Sequence, residues 1–368
     1  MKKILLGSTA LVAASMMAAP AVYAEEPIQL GVSGFMEQYF GYGSSDGFEG
    51  LDSDGDSVSN TDPDHFDQKS DSEIIFSGST TLDNGIQFGV NVQLEGNTSD
   101  DQIDESYLFV EGDFGRVLMG SENSAGYIMS VAAPNVGIGI NSGDQGDWVP
   151  FDSEAGQFRG VLGSTSLEND RVNDANRLTY FTPRFSGLQG GISYTPDAGE
   201  DDNTQPSENA SYHDGIDLGV NFTESFGGFD IAASGRYGIA SNDATGGDDP
   251  SIFGAGLNIG FAGFTVGGSY AQQEEAGADE GQSFDIGASY GTGPWGVSVT
   301  YFNGEADGGG GSGDEELQSA EVAASYALGP GIKMIGSIGW SEFDDDTDAD
   351  GDGSNDGYWV VTGLKLNF

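Results

Sequence analysis

The sequence predicts an all-β fold: an antiparallel transmembrane β-barrel of 16 strands, with short turns at one rim and long loops at the other. Three observations carry this. Apolar stripes of period two recur along the whole chain, the connections alternate between short and long, and the last stripe ends on an aromatic residue, Phe368.

The chain opens with Lys2 and Lys3, an apolar run from Ile4 to Val12, and Val22, Tyr23 and Ala24 ahead of Glu25. Charge, apolar stretch and small-residue cleavage site in that order read as a signal peptide over 1–24, exported through the Sec pathway, with the barrel over 25–368. No later segment approaches 18 uninterrupted apolar residues, so no membrane helix is predicted. A closed barrel remains available, because it too satisfies every backbone group inside a bilayer.

The strands follow from alternation. Ile86, Phe88, Val90, Val92 and Leu94 interleave with Gln87, Gly89, Asn91, Gln93 and Glu95, giving one apolar and one polar face. Phe253, Ala255, Leu257, Ile259 and Phe261 repeat the pattern, as do Phe284, Ile286, Ala288 and Tyr290, and Trp295, Val297, Val299 and Tyr301. Alternation alone fits a soluble sandwich equally well. The connections separate the two. Tight turns rich in Gly, Asn and Asp fall at 83–85, 113–115, 186–187, 227–228, 262–263, 291–293 and 329–331. Between them lie long acidic loops at 44–71, 97–101, 122–172, 197–212, 241–250, 272–281, 304–316 and 342–357. Such alternation of turn and loop is the signature of an outer-membrane barrel. The last strand places Tyr358, Val360, Thr362, Leu364, Leu366 and Phe368 on one face and Lys365 and Asn367 on the other.

Composition narrows the function. With 60 acidic against 11 basic residues the net charge is -49, a field that repels phosphate backbones and excludes an ordinary nucleic-acid partner. The chain has no Cys, so disulfide frameworks, thiolate metal sites and cysteine nucleophiles are excluded. Only His65 and His213 could serve as imidazole bases, and the sequence pairs neither with a nucleophile, which argues against an enzyme.

Two segments resemble a known family. The run YLFVEGDFGRVLMG at 107–120 and the run NRLTYFTPRFSGL at 176–188 resemble the strand, turn and strand flanking the third loop of Gram-negative general porins of the alphaproteobacterial, purple-bacterial type. The resemblance implies a homotrimer in the outer membrane, in contact with its lipid and lipopolysaccharide, whose third loop folds inward to narrow a water-filled channel for small hydrophilic solutes. It implies no required cofactor. Where many relatives place a basic residue after the glycine at 120, this chain has Ser121 and Glu122, which puts the family's basic cluster in doubt there. Independently, 122–172 is the longest connection, and its run YIMSVAAPNVGIGI is apolar enough to pack on an inner wall.

Pore-lining candidates follow from the polar faces. Arg177 and Arg236 are expected in the lumen near the eyelet, with Arg116, Arg184, Lys333 and Lys365 nearer the periplasmic mouth. Facing acids are Asp144, Asp147, Asp152 and Glu154 in the third loop and Glu37, Glu95, Asp217 and Asp285 on strands. Walls of acidic side chains favour cations, so a cation preference is expected. Asp346, Asp348, Asp350 and Asp352 match the start of a calcium loop, and Asp52, Asp54 and Asp56 repeat its spacing; the usual Glu at the twelfth position is Gly357. Ca2+ in the outer loops, bridging lipopolysaccharide phosphates, is the corresponding expectation. A channel dedicated to one substrate and a secreted calcium-binding β protein stand as alternatives.

Overall fold

In the computed structural model the described residues are 27–45, 49–51, 57–59, 65–96, 102–151, 160–168, 172, 175–199, 212–242, 249–274, 280–307, 313–346 and 354–368. The barrel strands are β1 (Gly31–Ser45), β4 (His65–Thr81), β5 (Gln87–Glu95), β6 (Ile103–Gly112), β7 (Gly115–Ser121), β8 (Asn176–Phe181), β9 (Leu188–Asp197) and β10 (His213–Phe226). They continue as β11 (Phe229–Ser241), β12 (Ser251–Phe261), β13 (Phe264–Glu274), β14 (Gly281–Thr292), β15 (Trp295–Asp307), β16 (Asp314–Gly329), β17 (Ile332–Asp345) and β18 (Asn355–Asn367). Two short strands, β2 (Glu49–Leu51) and β3 (Ser57–Ser59), form a separate ribbon in the first loop.

Each of the 16 barrel strands pairs antiparallel with its neighbours in sequence, and β18 returns to β1 to close the sheet. Closure leaves no unpaired edge, which a strand needs in a medium without water. The chain terminus completes the seam: Gly34 N–H donates to the Phe368 carbonyl at 2.9 Å and Phe368 N–H donates back to Gly34 at 3.0 Å.

The apolar stripes face outward as the alternation requires. Leu257, Ile259, Val297, Val299, Val360 and Leu364 are all exposed on the outer surface, and their strand neighbours point into the barrel. Aromatic pairs mark both rims. Phe229 with Phe261, Phe264 with Tyr290, and Trp295 with Tyr326 meet at 4.4–4.6 Å between centroids beside the short turns, the first pair stacked and the last edge to face. Phe40 with Phe66, Phe253 with Tyr270 and Phe284 with Tyr301 lie nearer the long loops. Two aromatic bands flanking an apolar belt are what a bilayer's two interfaces favour. The turn between β12 and β13 shows why the tight connections hold: Ala262 and Gly263 take φ of 53° and 91°, the two left-handed residues whose twist matches the flanking strands.

One boundary differs from the sequence reading. The expected loop 44–71 ends earlier, because β4 already begins at His65 and pairs with β1 from Gly43↔His65 onward. Asp67, Lys69 and Asp71 on the inner face and Gln68 and Ser70 on the outer face give this stretch no apolar stripe to read.

Candidate pore constriction

The connection between β7 and β8 turns into the barrel. It starts with a single helical turn, α1 (Ala125–Ile128), capped by Ser124, whose hydroxyl accepts from Tyr127 N–H at 3.3 Å. It then runs across the inner wall in extended form. Backbone donors at this depth need partners in place of water, and the wall supplies them. Val131 N–H reaches Ser234 Oγ at 2.8 Å, Ala133 N–H reaches the Asp285 carboxylate at 3.2 Å, Val136 N–H reaches Ser298 Oγ at 3.1 Å and Ile138 N–H reaches Glu321 Oε1 at 2.9 Å. The wall donates in return: Asn258 Nδ2 to the Ala132 carbonyl at 2.9 Å and Thr300 Oγ1 to the Pro134 carbonyl at 3.1 Å.

Beyond residue 138 the contact becomes apolar. Ile138, Ile140, Trp148, Val149, Phe151, Val161, Leu162 and Leu167 pack against inward-facing Ile252, Phe302, Leu317, Ile335, Phe343 and Trp359. These wall residues break the rule of a polar interior because the loop keeps water from them. Each large side chain buried so contributes roughly 1.5–3 kcal/mol. Close approach also demands glycine. A Cβ on Gly256 would stand 1.7 Å from the Val131 carbonyl oxygen, and one on Gly304 would stand 2.4 Å from that of Leu162.

The root of the loop is fixed by charge. Glu168 accepts from Ser124 N–H at 2.9 Å, Ser124 Oγ at 3.0 Å and Arg177 Nη1 at 2.8 Å, and lies 3.5 Å from Arg236 Nη2. Arg236 also meets Asp217 at 3.3 Å and donates to the Leu167 carbonyl. The side chains of these four charged residues are 1–2% exposed. Among the described residues two guanidiniums thus meet two carboxylates in a buried pocket, where either sign alone would be costly.

On the opposite side, between loop and wall, remains a cavity of about 60 Å³, room for a few waters. Glu37, Tyr39, Lys69, Ser70 and Asp71 line it from β1 and β4; Ile138, Asp144, Asp147 and Trp148 line it from the loop. Asp144 and Asp147 sit on a single 3-10 turn, Asp144–Asp147, which presents both carboxyls from one short element. Lys69 pairs with Asp67 at 2.8 Å, and Lys365 pairs with Glu37 at 2.9 Å while lying over the Tyr39 ring. Tyr39 also donates to Glu37. With both lysines matched, Asp71, Asp144 and Asp147 are carboxyls in excess of the bases, and the site becomes more negative as they ionise with rising pH. Burial, reinforced by the charge of Asp147, pushes the Asp144 carboxyl up to about 8; burial raises Asp147 as well, against the pull of Lys69.

The expected site residues divide accordingly. Glu37, Asp144 and Asp147 meet at the cavity. Arg177 and Arg236 point inward as expected but lie beneath the loop, neutralised by Glu168 and Asp217, so the expectation of eyelet arginines is corrected. Asp217 belongs to that same buried set. Asp285 is likewise buried, accepting from Ala133, Asn141 and Ser269 as a staple for the loop. Glu95 ends β5 opposite Glu73, away from the cavity. Lys365 lies opposite Lys333, two residues past the short turn at 329–331, and reaches Glu37 at 2.9 Å, and Arg184 stays at its turn, donating to the Gly187 carbonyl at 2.6 Å. Asp152 and Glu154 lie outside the described residues, as do Asp348, Asp350, Asp352, Asp52, Asp54 and Asp56; Asp346 is exposed where β17 ends. Sequence reasoning missed Tyr39, Lys69, Asp71 and Trp148 at the cavity, and Glu168 and Glu321 as anchors. Asp71 and Lys69 were hidden in a stretch read as loop, and Glu168 carries no local signal of its partners.

A closed barrel whose β7–β8 connection packs against its inner wall has the architecture of a channel narrowed by its own loop. Comparison with known proteins agrees. The family model described as Gram-negative porin matches residues 7–346, and the chain belongs to that family, an outer-membrane channel family. Among relatives, a protein of uncharacterised function from Rickettsia conorii is 31% identical over 107 residues, covering 25% of this chain and 24% of that one. One from Rickettsia typhi is 30% identical over 150 residues, covering 34% and 33%. The chain thus spans only about a quarter to a third of the length of these relatives. Among solved structures, the outer-membrane channel DcaP of Acinetobacter baumannii superposes with a TM-score of 0.63 at 14% identity, covering 95% of this chain and 100% of that one. An anion-selective porin from Comamonas acidovorans gives 0.59 at 17% identity, covering 92% and 100%. At these identities the likeness concerns the fold.

Proposed function

We propose that the chain forms a water-filled channel for passive passage of ions and very small hydrophilic solutes, with a preference for cations. The observation that carries this is the cavity between the third loop and β1 and β4, where Asp71, Asp144 and Asp147 exceed the matched lysines. In a narrow, poorly solvated passage such charges act strongly on a permeating ion. A solved neighbour of the same fold is described as anion-selective, so the fold alone does not carry the proposed cation preference.

The signal peptide at 1–24, Sec export, a homotrimeric state and contact with lipopolysaccharide complete the proposal. Heat-modifiable migration on a detergent gel tests the assembly, since a folded trimer runs differently after boiling. Shortening 131–140 tests the passage. Swelling of proteoliposomes should be slow for pentoses with the native chain and faster with the shortened one. Equal rates for both, with assembly intact, would move the constriction away from this loop.

A further inference from the structure

Charge is spread unevenly along the barrel axis. The long loops at one rim hold most of the 60 acidic residues, whereas the seven short turns at the other hold only Asp83 and Asp113. The bases divide the other way. Of the seven lysines and arginines among the described residues, four lie within three positions of a short turn or of the C terminus: Arg116, Arg184, Lys333 and Lys365. All four reach the inner face. Lys333 and Lys365 are opposed in register on β17 and β18, alternating with outward-facing Ile332, Met334 and Leu364. Arg116 stands opposite Glu111 and lies 4.4 Å over the ring of buried Phe109. Arg184 donates to Gln189 Oε1 at 2.7 Å and to Asn221 Oδ1 at 2.8 Å, a register pair flanked by outward-facing Leu188 and Val220. Pairing sharpens the contrast. Nearer the long loops each described base meets a carboxylate: Lys69 meets Asp67, Arg177 meets Glu168 and Arg236 meets Asp217. At the short-turn mouth Glu111 stands 3.9 Å from Arg116 and Glu37 meets Lys365, yet Arg184 and Lys333 make no ion pair among the described residues. Asp230, also on the inner face there, accepts from Ser225 Oγ at 2.6 Å. Bases and acids thus nearly cancel at this mouth, against a strongly negative opposite rim.

We propose that this gradient makes the channel rectify: cations pass more readily from the long-loop side to the short-turn side than in reverse. The inference rests on the cation-preferring channel proposed above and adds a direction to it. A voltage that drives cations in through the acidic half drives anions in through the near-neutral mouth. The acidic half passes few of those anions onward, so they collect where the halves meet, cations collect with them, and conductance rises. The opposite voltage empties the same junction. Cations leave it through the acidic half faster than the neutral mouth supplies them, anions are not replaced, and conductance falls. Without a driving gradient there is no net flow in either direction. Lys333 and Arg184 matter because they hold the short-turn mouth near neutrality; a mouth as acidic as the outer rim would remove the gradient.

The test is current against voltage for single full-length channels in a planar bilayer with equal KCl on both sides. The chain has no Cys, so Asn84→Cys at an exposed short turn takes a single biotin label; streptavidin then lowers the current only from the turn side and fixes the orientation. A potential of one kT changes the local ion concentration by roughly threefold. In about 0.01 M KCl, where the screening length of about 30 Å spans the barrel, current with the loop side positive should therefore exceed the reverse by about twofold. Near 1 M, where that length is about 3 Å, the two currents should be equal. Lys333→Glu sets opposite charges across the pair with Lys365, so the barrel should still close, and the low-salt ratio should fall toward one while the reversal potential stays cation-selective. Should that variant fail to assemble, Lys333→Gln should lower the ratio by a smaller step. Equal currents in the native chain at low salt, a ratio of the opposite sense, or a ratio unmoved in the assembled Lys333 variant would overturn rectification while a cation-selective reversal potential left the channel reading standing. A native reversal potential without cation preference would overturn that reading, and the inference with it.

Discussion

Replacing Glu168 by Gln keeps the volume of the side chain and removes the carboxylate that Arg177 and Arg236 both meet beneath the third loop. The variant removes one negative charge from a pocket where the side chains of Arg177, Arg236, Glu168 and Asp217 are 1–2% exposed. Gln also turns one of two acceptors into a donor facing Ser124 or an arginine, all donors themselves. Breaking a buried pair in this way costs about 3–5 kcal/mol. At about 1.4 kcal/mol per tenfold change in an equilibrium, a cost near 4 kcal/mol raises the population of chains with the loop root released by roughly a thousandfold. Single-channel recording in planar bilayers should show larger and noisier open currents, and the folded band should disappear at a lower temperature. Adding Arg177→Met to Glu168→Gln removes the guanidinium that Glu168 paired and should recover part of the loss, an interaction measurable as a double-mutant cycle. Native conductance and native thermal resistance in Glu168→Gln would refute the claim that this cluster holds the loop.

Other outcomes follow from the same geometry. The Asp144 carboxyl, raised to about 8, is neutral at lower pH and ionises as pH rises, so cation preference should increase between pH 6 and 9, and Asp144→Asn should flatten that profile. The linkage has the opposite sign for packing. A raised folded-state value favours the folded form below the ordinary carboxylate range, and that contribution is lost as pH rises through about 8, so thermal resistance should fall over the same interval. Gly256→Ala sets a methyl group against the Val131 carbonyl oxygen, and should displace the loop and alter conductance while the barrel still closes, as read by single-channel recording and heat-modifiable migration. Deleting Phe368 removes both hydrogen bonds between its backbone and Gly34 at the β1–β18 seam and should lower the yield of folded protein on refolding into detergent.

The barrel was largely legible in the sequence because a bilayer outside and water inside impose period two on every strand. Stripes such as Phe253 to Phe261 and Trp295 to Tyr301 proved to be outward faces, and the short turns fell where Gly and Asn placed them. Legibility ended where a third environment enters. The inner wall under the loop is neither lipid nor water, so Trp359 beside Tyr358 and Val360 gives β18 two apolar faces over that stretch. Alternation places Arg177 and Arg236 inward, yet only tertiary packing places Glu168 over them. The constriction was half visible: Glu37, Asp144 and Asp147 were found as acids on inward or loop positions, whereas Lys69 and Asp71 belong to a strand polar on both faces.

Reversal potential in a tenfold KCl gradient across a planar bilayer, for the native chain and for Asp144→Asn with Asp147→Asn, tests the acidic constriction most directly. Rim charges are screened over about 8–10 Å at moderate salt, whereas charges in a narrow passage persist, so the measurement belongs at 0.1 M and again near 1 M. At pH 9, where Asp144 is ionised, a cation-selective potential that survives at high salt in the native chain and shrinks in the double variant is the predicted result. An anion-selective native potential, or a cation preference untouched by losing both aspartates, would contradict the assignment of selectivity to this loop and its facing wall.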